Sequence, residues 1–245
     1  ALDDLSEGEV VIKVACSGIN YKDALAATGK GKILRRYPLN GGIDFAGVVV
    51  SSEDSEFQPG TEVLMNGCGL SETVDGGYSE YARVDSAGLV PLPGGMTCLD
   101  AMRIGTAGYT AALAIHRMEQ NGQAPELGPV VVTGATGGVG SIAIDMLAGR
   151  GYEVVAVTGK AAEEDYLRSI GASRILLRDA IDFGKRPLEL TADGGTYTAD
   201  AVIEGQIRSF GGGSRNEEEV PEEYRGGIGE EGVENIKKYV ENGGT

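Results

Sequence analysis

The sequence predicts an α/β protein in two parts, with short strands first and a parallel sheet after them. Three observations carry this. Runs such as EVVIKVACSG alternate like strands and end at glycine in the first ninety-odd residues. The segment from Val130 onward reads strand, glycine-rich turn, helix, strand, helix, strand. Between them, near residues 95–105, the composition shifts from turn-rich to helical.

The elements are taken in chain order. EVVIKVACSG is the first strand, and INYKDALAATGKGKI a short helical or loop segment. GGIDFAGVVV is a strand entered through glycines. FQPGTEVLM is a turn at Pro59-Gly60 leading into a strand, GGYSEYARV is another strand, and LVPLPGGM is a loop. Ala101 to Met118 is apolar at helical spacing, with interruptions expected at Gly105 and Gly108. Next come a strand at Val130–Thr133, a helix from about Gly138, a strand at Glu153–Val157, a helix at Ala161–Ile170 and a strand at Ile175–Leu177. After Leu190 one further strand is expected at Ala199–Ile203. An acidic, glycine-rich stretch, SFGGGSRNEEEVPEEY, reads as an exposed or disordered segment, and Glu231–Val240 as a helix.

Composition bounds the function. The chain has 245 residues, 40 glycines, no tryptophan and a formal net charge of -16. That charge argues against nucleic acid as a partner, because phosphate backbones need a basic face. It also means that an anionic cofactor must find local donors. Cys16, Cys68 and Cys98 lack metal-ligand spacing and read as reduced thiols. No apolar run approaches the ~18 residues of a membrane span, and the first residues are not a signal peptide, so a cytoplasmic protein is expected. The chain does not begin with methionine, as expected of a segment from inside a longer protein.

The glycines of VVVTGATGGVGS carry the first functional expectation. Gly134, Gly137 and Gly140 recur at three-residue intervals between a strand and a helix, with Gly138 beside them. Such a turn brings backbone N–H groups close to a pyrophosphate, at the partly positive end of a helix. The spacing is not GxGxxG, so the signal lies in the strand–turn–helix–strand context. Thr136, Gly137, Gly138, Val139 and Gly140 are the candidate cofactor-binding residues of this turn. The next strand ends AVTGK, without the acid that would hold a ribose 2′-hydroxyl. Thr158, Gly159, Lys160 and, after the third strand, Arg178 suit a 2′-phosphate, so NADPH is expected in preference to NADH. Lys160 also suits a solvated helix start.

The segments NYKDALAATGKGKI, GIDFAGVV, GGYSEYARV, GTAGYTAAL, VVVTGATGGVGS, GYEVVAVTGK and YLRSIGASRIL together resemble one family. It is the acryloyl-CoA reductase group of the zinc-independent medium-chain dehydrogenases/reductases, close to the quinone oxidoreductases. The resemblance covers about Leu5 to Leu190. It implies a chaperonin-10-like β-barrel substrate domain (1–100), a partial Rossmann domain binding NADPH (101–205) and a divergent tail (206–245). It implies hydride transfer to a carbon–carbon double bond conjugated to a carbonyl, with acryloyl-CoA giving propanoyl-CoA. A quinone reductase of the same family, or an inactive NADP-binding fragment, are the alternatives. A small-molecule enoyl-CoA, enone or quinone is the expected partner, with a homodimer if a second copy supplies the missing sheet edge.

Zinc is not expected, because Asn20-Tyr21-Lys22-Asp23 stands where zinc-dependent relatives place a ligand, and His116 is the single histidine. His116 reads as a helix residue. Tyr21 is the candidate donor to the developing oxyanion, or a wall of the cofactor pocket. Asn20 is the candidate that orients the nicotinamide ribose or carboxamide. Asp44 reads as a turn-stabilising carboxylate that could also hold the loop carrying Asn20. Lys22, Lys30, Lys32, Arg35 and Arg36 form one basic cluster, read as a solvated helix face or as a site for a CoA phosphate. No tyrosine after the glycine turn has a lysine four residues on, which argues against a short-chain dehydrogenase. Gly41 stands where the family usually has proline, so a looser loop is expected there. The family's N-terminal strand and the second half of its Rossmann sheet are expected to be missing. The tail YRGGIGEEGVENIKKYVENGGT faintly resembles an amidotransferase-like domain attached to some zinc-carboxypeptidase relatives, without metal ligands.

Overall fold

The computed structural model describes residues 5–180, 188–192, 195–199 and 201–204. These fall into two units that divide between Thr106 and Ala107.

The first unit is built on a five-stranded antiparallel sheet. Its strands are β1 (Val10–Cys16), β2 (Asp44–Ser52), β3 (Glu62–Asn66), β4 (Tyr81–Val84) and β5 (Val90–Pro91), in the order β4-β1-β2-β3-β5. Alternation in the sequence sends Val10, Ile12, Phe45, Val49, Val63, Met65, Ala82 and Val84 into one core. Each large apolar side chain among them is worth about 1.5–3 kcal/mol when fully buried. Register shifts between Val11 and Ile12, and between Val14 and Cys16, bend β1 against β2. A Cβ on Gly47 would stand 2.3 Å from the Lys13 carbonyl oxygen, so only glycine permits this approach. The short strand β5 lies within LVPLPGGM, where a loop is expected from its prolines and glycines. Pro91 is tolerated because β5 is an edge strand.

Helix α1 (Tyr21–Ala27) comes after β1. Asn20 caps it, and the Asp23 carboxylate reaches back to accept the Asn20 N–H at 2.8 Å. The loop at Gly41 is not loose. The carbonyls of Asn40, Gly41 and Gly42 accept from the N–H groups of Gly76, Tyr78 and Gly77 at 2.9–3.0 Å. Gly42 has φ +97, and a Cβ on Gly76 would stand 2.2 Å from the Gly42 carbonyl oxygen. Backbone-to-backbone lacing therefore supplies the rigidity that a proline would otherwise give.

Helix α2 (Cys98–Gln120) kinks where Gly105 takes φ 52 and ψ -160. Of the two expected interruptions only Gly105 leaves helical geometry. Gly108 continues the helix, since glycine lowers helix stability without forbidding it.

The second unit holds a parallel sheet in the order β11-β6-β7-β8, formed by β6 (Val130–Thr133), β7 (Val154–Thr158), β8 (Arg174–Leu177) and β11 (Ala201–Glu204). Helix α3 (Gly138–Gly149) joins β6 to β7. A 3-10 turn and the short α4 (Glu164–Ser169) join β7 to β8, where one helix over Ala161–Ile170 is expected. The central strands β6 and β7 are almost wholly apolar, as a sheet covered on both faces requires. Val130, Val132, Val154 and Ala156 pack with Ile144 and Leu147 of α3, Leu167 of α4, and Ala111 and Ile115 of α2.

Strands β9 (Leu188–Ala192) and β10 (Gly195–Ala199) pair antiparallel. The strand expected over Ala199–Ile203 is divided: Ala199 ends β10 and Ala201 begins β11. The later part of the expected strand, β11, joins the sheet as a fourth strand on the other side of β6. The acidic stretch and the helix expected at Glu231–Val240 lie outside the described residues.

Candidate functional site

The strand order reverses beside β6. In parallel sheets, ligands bind at the carboxyl ends of the strands, at such a switch point. The glycine-rich turn stands there. Gly134 opens it with φ +59, where an L side chain would be strained. Gly137 caps α3, and its N–H donates to the Gly134 carbonyl at 2.9 Å. A Cβ on Gly140 would stand 2.4 Å from the Gly134 carbonyl oxygen, so Gly140 is what lets α3 lie close against the turn. Val139 packs its side chain against the core, and what it can offer a ligand is its backbone N–H. The first N–H groups of a helix have no intrahelical acceptor. The turn thus has the positive-φ opening glycine, the close-packing glycine and the helix end of a pyrophosphate cradle.

The tip of β7 lies alongside. Register pairs Thr133 with Val157 and Thr158 with Leu177, so Gly134, Gly159 and Arg178 each begin just past the same sheet edge. Thr158 is buried, and its hydroxyl accepts the Lys160 N–H at 3.0 Å, which shapes the turn. Gly159 is exposed, and a Cβ there would meet nothing within 4 Å. Lys160 and Arg178 are exposed. Space and two cations at one strand edge fit a phosphate on the adenosine ribose better than they fit a bare hydroxyl.

In the first unit the candidate residues gather around Asp44. It opens β2 with its side chain wholly buried. Its Oδ1 accepts the Gly18 N–H at 2.8 Å. Its Oδ2 accepts Asn20 Nδ2 at 2.9 Å, the Thr106 N–H at 3.0 Å and Thr106 Oγ1 at 2.7 Å. Asp44 is therefore a buried junction of three segments, more than a turn-stabilising carboxylate, and it does hold Asn20. Tyr21 is the first residue of α1 and is 74% exposed. His116 is an exposed residue of α2.

Two neighbours were not singled out from the sequence. The Asp23 carboxylate is buried, accepting from Asn20 and from the Ile43 N–H at 3.0 Å. Burial raises its pKa, and the nearby Asp44 adds to the effect, while its hydrogen bonds oppose the rise. Tyr78 donates its hydroxyl to the Gly18 carbonyl at 3.1 Å, and its ring lies beside Gly41 and Gly42. Desolvation, then the carboxylates of Asp23 and Asp44, push its phenol far above the ordinary tyrosine value. Asp44 and Tyr78 grip Gly18 from its amide side and its carbonyl side.

The basic cluster is not a helix face. Only Lys22 lies on α1; Lys30 to Arg36 come after the helix in irregular chain. Lys22 is ion-paired with Glu72, and Arg35 lies 3.7 Å from the same carboxylate. Arg36 bonds Asp75 at 2.9 Å and the Thr73 carbonyl at 2.8 Å. Lys22, Arg35 and Arg36 are thus engaged within the fold. Among the described residues no helix is long and apolar enough to cross a membrane.

A small antiparallel β unit and then, in the same chain, a parallel sheet with a glycine-rich turn are the architecture of the alcohol-dehydrogenase type. Over about three quarters of its length the chain is similar to members of the medium-chain dehydrogenase/reductase family. The alcohol dehydrogenase GroES-like domain matches residues 6–94. The acrylyl-CoA reductase AcuI of Ruegeria pomeroyi is 50% identical over 77% of this chain and 58% of its own length. The YhdH oxidoreductase of Salmonella enterica, solved in complex with NADP, is 50% identical with a TM-score of 0.74, over 76% of this chain and 57% of that one. The Bacillus subtilis protein YhfP, solved with NAD bound, is 54% identical with a TM-score of 0.72, over 75% of this chain and 56% of that one. The chain thus spans less than two thirds of the length of each of these relatives.

Proposed function

We propose that the chain binds NADPH and reduces the double bond of an α,β-unsaturated thioester or carbonyl, with acryloyl-CoA as the substrate tried first. The observation that carries this is the β6–α3 turn at the switch point of the sheet, with an acid-free β7 tip beside it. In this reading the second unit supplies the nucleotide end: Gly138 to Gly140 receive the pyrophosphate on backbone N–H groups, with Gly137 shaping the turn, and Gly159, Lys160 and Arg178 take the 2′-phosphate. The bound nicotinamide supplies a hydride.

The first unit supplies the groups for the reacting end. Asn20 is held in place by Asp44 and orients the nicotinamide side of the cofactor. Tyr21 donates its phenol hydroxyl to the oxygen on which negative charge builds. Likeness to the reductase AcuI and to the NADP-bound YhdH oxidoreductase supports the substrate class and the cofactor.

The test is NADPH oxidation on adding acryloyl-CoA, read at the reduced-nicotinamide absorbance. Turnover is expected, and Tyr21→Phe is expected to lower kcat about 10-fold or more while NADPH binding stays intact. NADPH binding without reduction of any enoyl-CoA, enone or quinone would leave a nucleotide-binding fragment instead.

A further inference from the structure

We infer that Lys30 and Lys32, on the segment that follows α1, form a site for the phosphate groups of a coenzyme A thioester. The inference rests on the reading of the protein as an enoyl-thioester reductase, and it says how the far end of that substrate is held. The chain carries 37 acidic residues, yet none falls between Ala24 and Ile43, where Lys30, Lys32, Arg35 and Arg36 all stand. These cations differ in what holds them. Lys22 and Arg35 share the Glu72 carboxylate, and Arg36 pairs with Asp75. Lys30 and Lys32 form no ion pair among the described residues.

The backbone sets their direction. Gly29 leaves α1 with φ +67, and the Gly31 N–H donates to the Leu25 carbonyl at 3.2 Å. A Cβ on Gly31 would stand 2.8 Å from the Leu25 Cβ, so the segment lies close against α1 there. Ile33 is buried, its N–H donating to the Gly31 carbonyl at 2.9 Å, and the Arg35 N–H donates to the Glu72 carbonyl at 2.8 Å. With Gly31 and Ile33 turned inward, Lys30 and Lys32 are left on the outer side of a pinned segment, and both are exposed. Ammonium groups bind phosphate as point charges. The carboxylates that would repel an anion, Glu72 and Asp75, are already paired with Lys22, Arg35 and Arg36. Position fits the same substrate. Tyr21 begins α1 and Lys30 follows its end, one helix of 7 residues apart, or about 10 Å. In a coenzyme A thioester the pantetheine arm supplies such a separation between the acyl group and the phosphates.

Coenzyme A and NADPH both carry a phosphorylated adenosine diphosphate, so the experiment has to tell their two sites apart. Free coenzyme A is titrated calorimetrically into the whole chain at saturating NADPH and low ionic strength, with pantetheine, which has no phosphate, as the second ligand. Lys30→Ala combined with Lys32→Ala should weaken coenzyme A about 3- to 10-fold and leave pantetheine within about 2-fold. Salt at about 0.5 M should remove the difference between variant and wild type. Lys30→Arg with Lys32→Arg, which keeps both charges, should bind coenzyme A as wild type does.

Equal coenzyme A affinity in wild type and the double alanine variant would overturn the inference, as would a parallel loss of pantetheine. Coenzyme A that binds only in the absence of NADPH would overturn it too, because it would then occupy the β7 tip. Reduction of an enone or quinone by a chain that never binds coenzyme A would overturn it and leave the reductase reading standing. Lysine-dependent binding of coenzyme A without reduction of any enoyl compound would sink that reading and leave the lysine site.

Discussion

Gly140→Ala isolates the contact on which the nucleotide cradle depends. The added Cβ would stand 2.4 Å from the Gly134 carbonyl oxygen and 2.9 Å from the Ala135 Cα. Both are backbone atoms, so no side chain can swing aside and α3 must move off the turn. Alanine favours a helix interior over glycine by about 1 kcal/mol, which offsets part of the strain. Overpacking of this kind costs about 1–3 kcal/mol, and the fixed backbone on both sides points to the upper half. In a chain of this size each kcal/mol is worth roughly 2–4 °C in melting temperature, so a fall of about 2–8 °C is expected. The larger consequence is for binding. Moving the first turn of α3 by roughly half an ångström or more misaims the N–H groups of Val139 and Gly140, and NADPH affinity should fall about 10-fold or more. Thermal unfolding with and without NADPH reads both quantities. Full stability with unchanged protection would refute the claim that Gly140 sets the approach of helix to turn.

Two further outcomes are expected from the same geometry. Gly159→Asp adds a carboxylate in open space at the β7 tip, so the fold should be unaffected while NADPH binding falls about 10-fold and NADH binding rises; a uniform change in both would place the 2′-phosphate elsewhere. Burial opposes ionisation of Asp75, but its bonds from Asn40, Ser6 and Arg36 together hold its pKa below the ordinary value. Its stabilising share is therefore complete above about pH 4 and is lost as pH falls through the depressed folded pKa. Asp75→Asn should flatten that part of an acid titration of stability, and an unchanged acid limb would show that other carboxylates carry it.

The strands and the glycine turn were legible because their signals are local. Alternation placed β1 and β2, and Val130 to Gly140 announced both a turn and the helix after it. The junction at Asp44 was only half legible. GIDFAG marks a carboxylate at a strand entry, but the donors come from Gly18, Asn20 and Thr106, and their meeting is set by how β1, β2 and the α2 kink pack. Tyr78 was hidden in GGYSEYARV as one more strand residue; its role depends on the approach of Gly76 and Gly77 to Gly41 and Gly42, which only the folded backbone shows. Gly105 and Gly108 look alike in sequence, and the hydrogen bonds of Thr106 to Asp44 distinguish the one that breaks the helix. The strand at AVIE was legible from its apolar run, but its pairing with β6 was not, because a sequence does not say which open sheet edge a strand will join.

The central claim is that the edge formed by Gly134–Gly140, Gly159, Lys160 and Arg178 is a site for a 2′-phosphorylated dinucleotide. Parallel titrations of the whole chain with NADPH and NADH, monitored by nicotinamide fluorescence at fixed ionic strength, test it most directly. Saturable binding with NADPH at least about 10-fold tighter than NADH is the predicted result. Equal affinities, or NADH the tighter of the two, would contradict it.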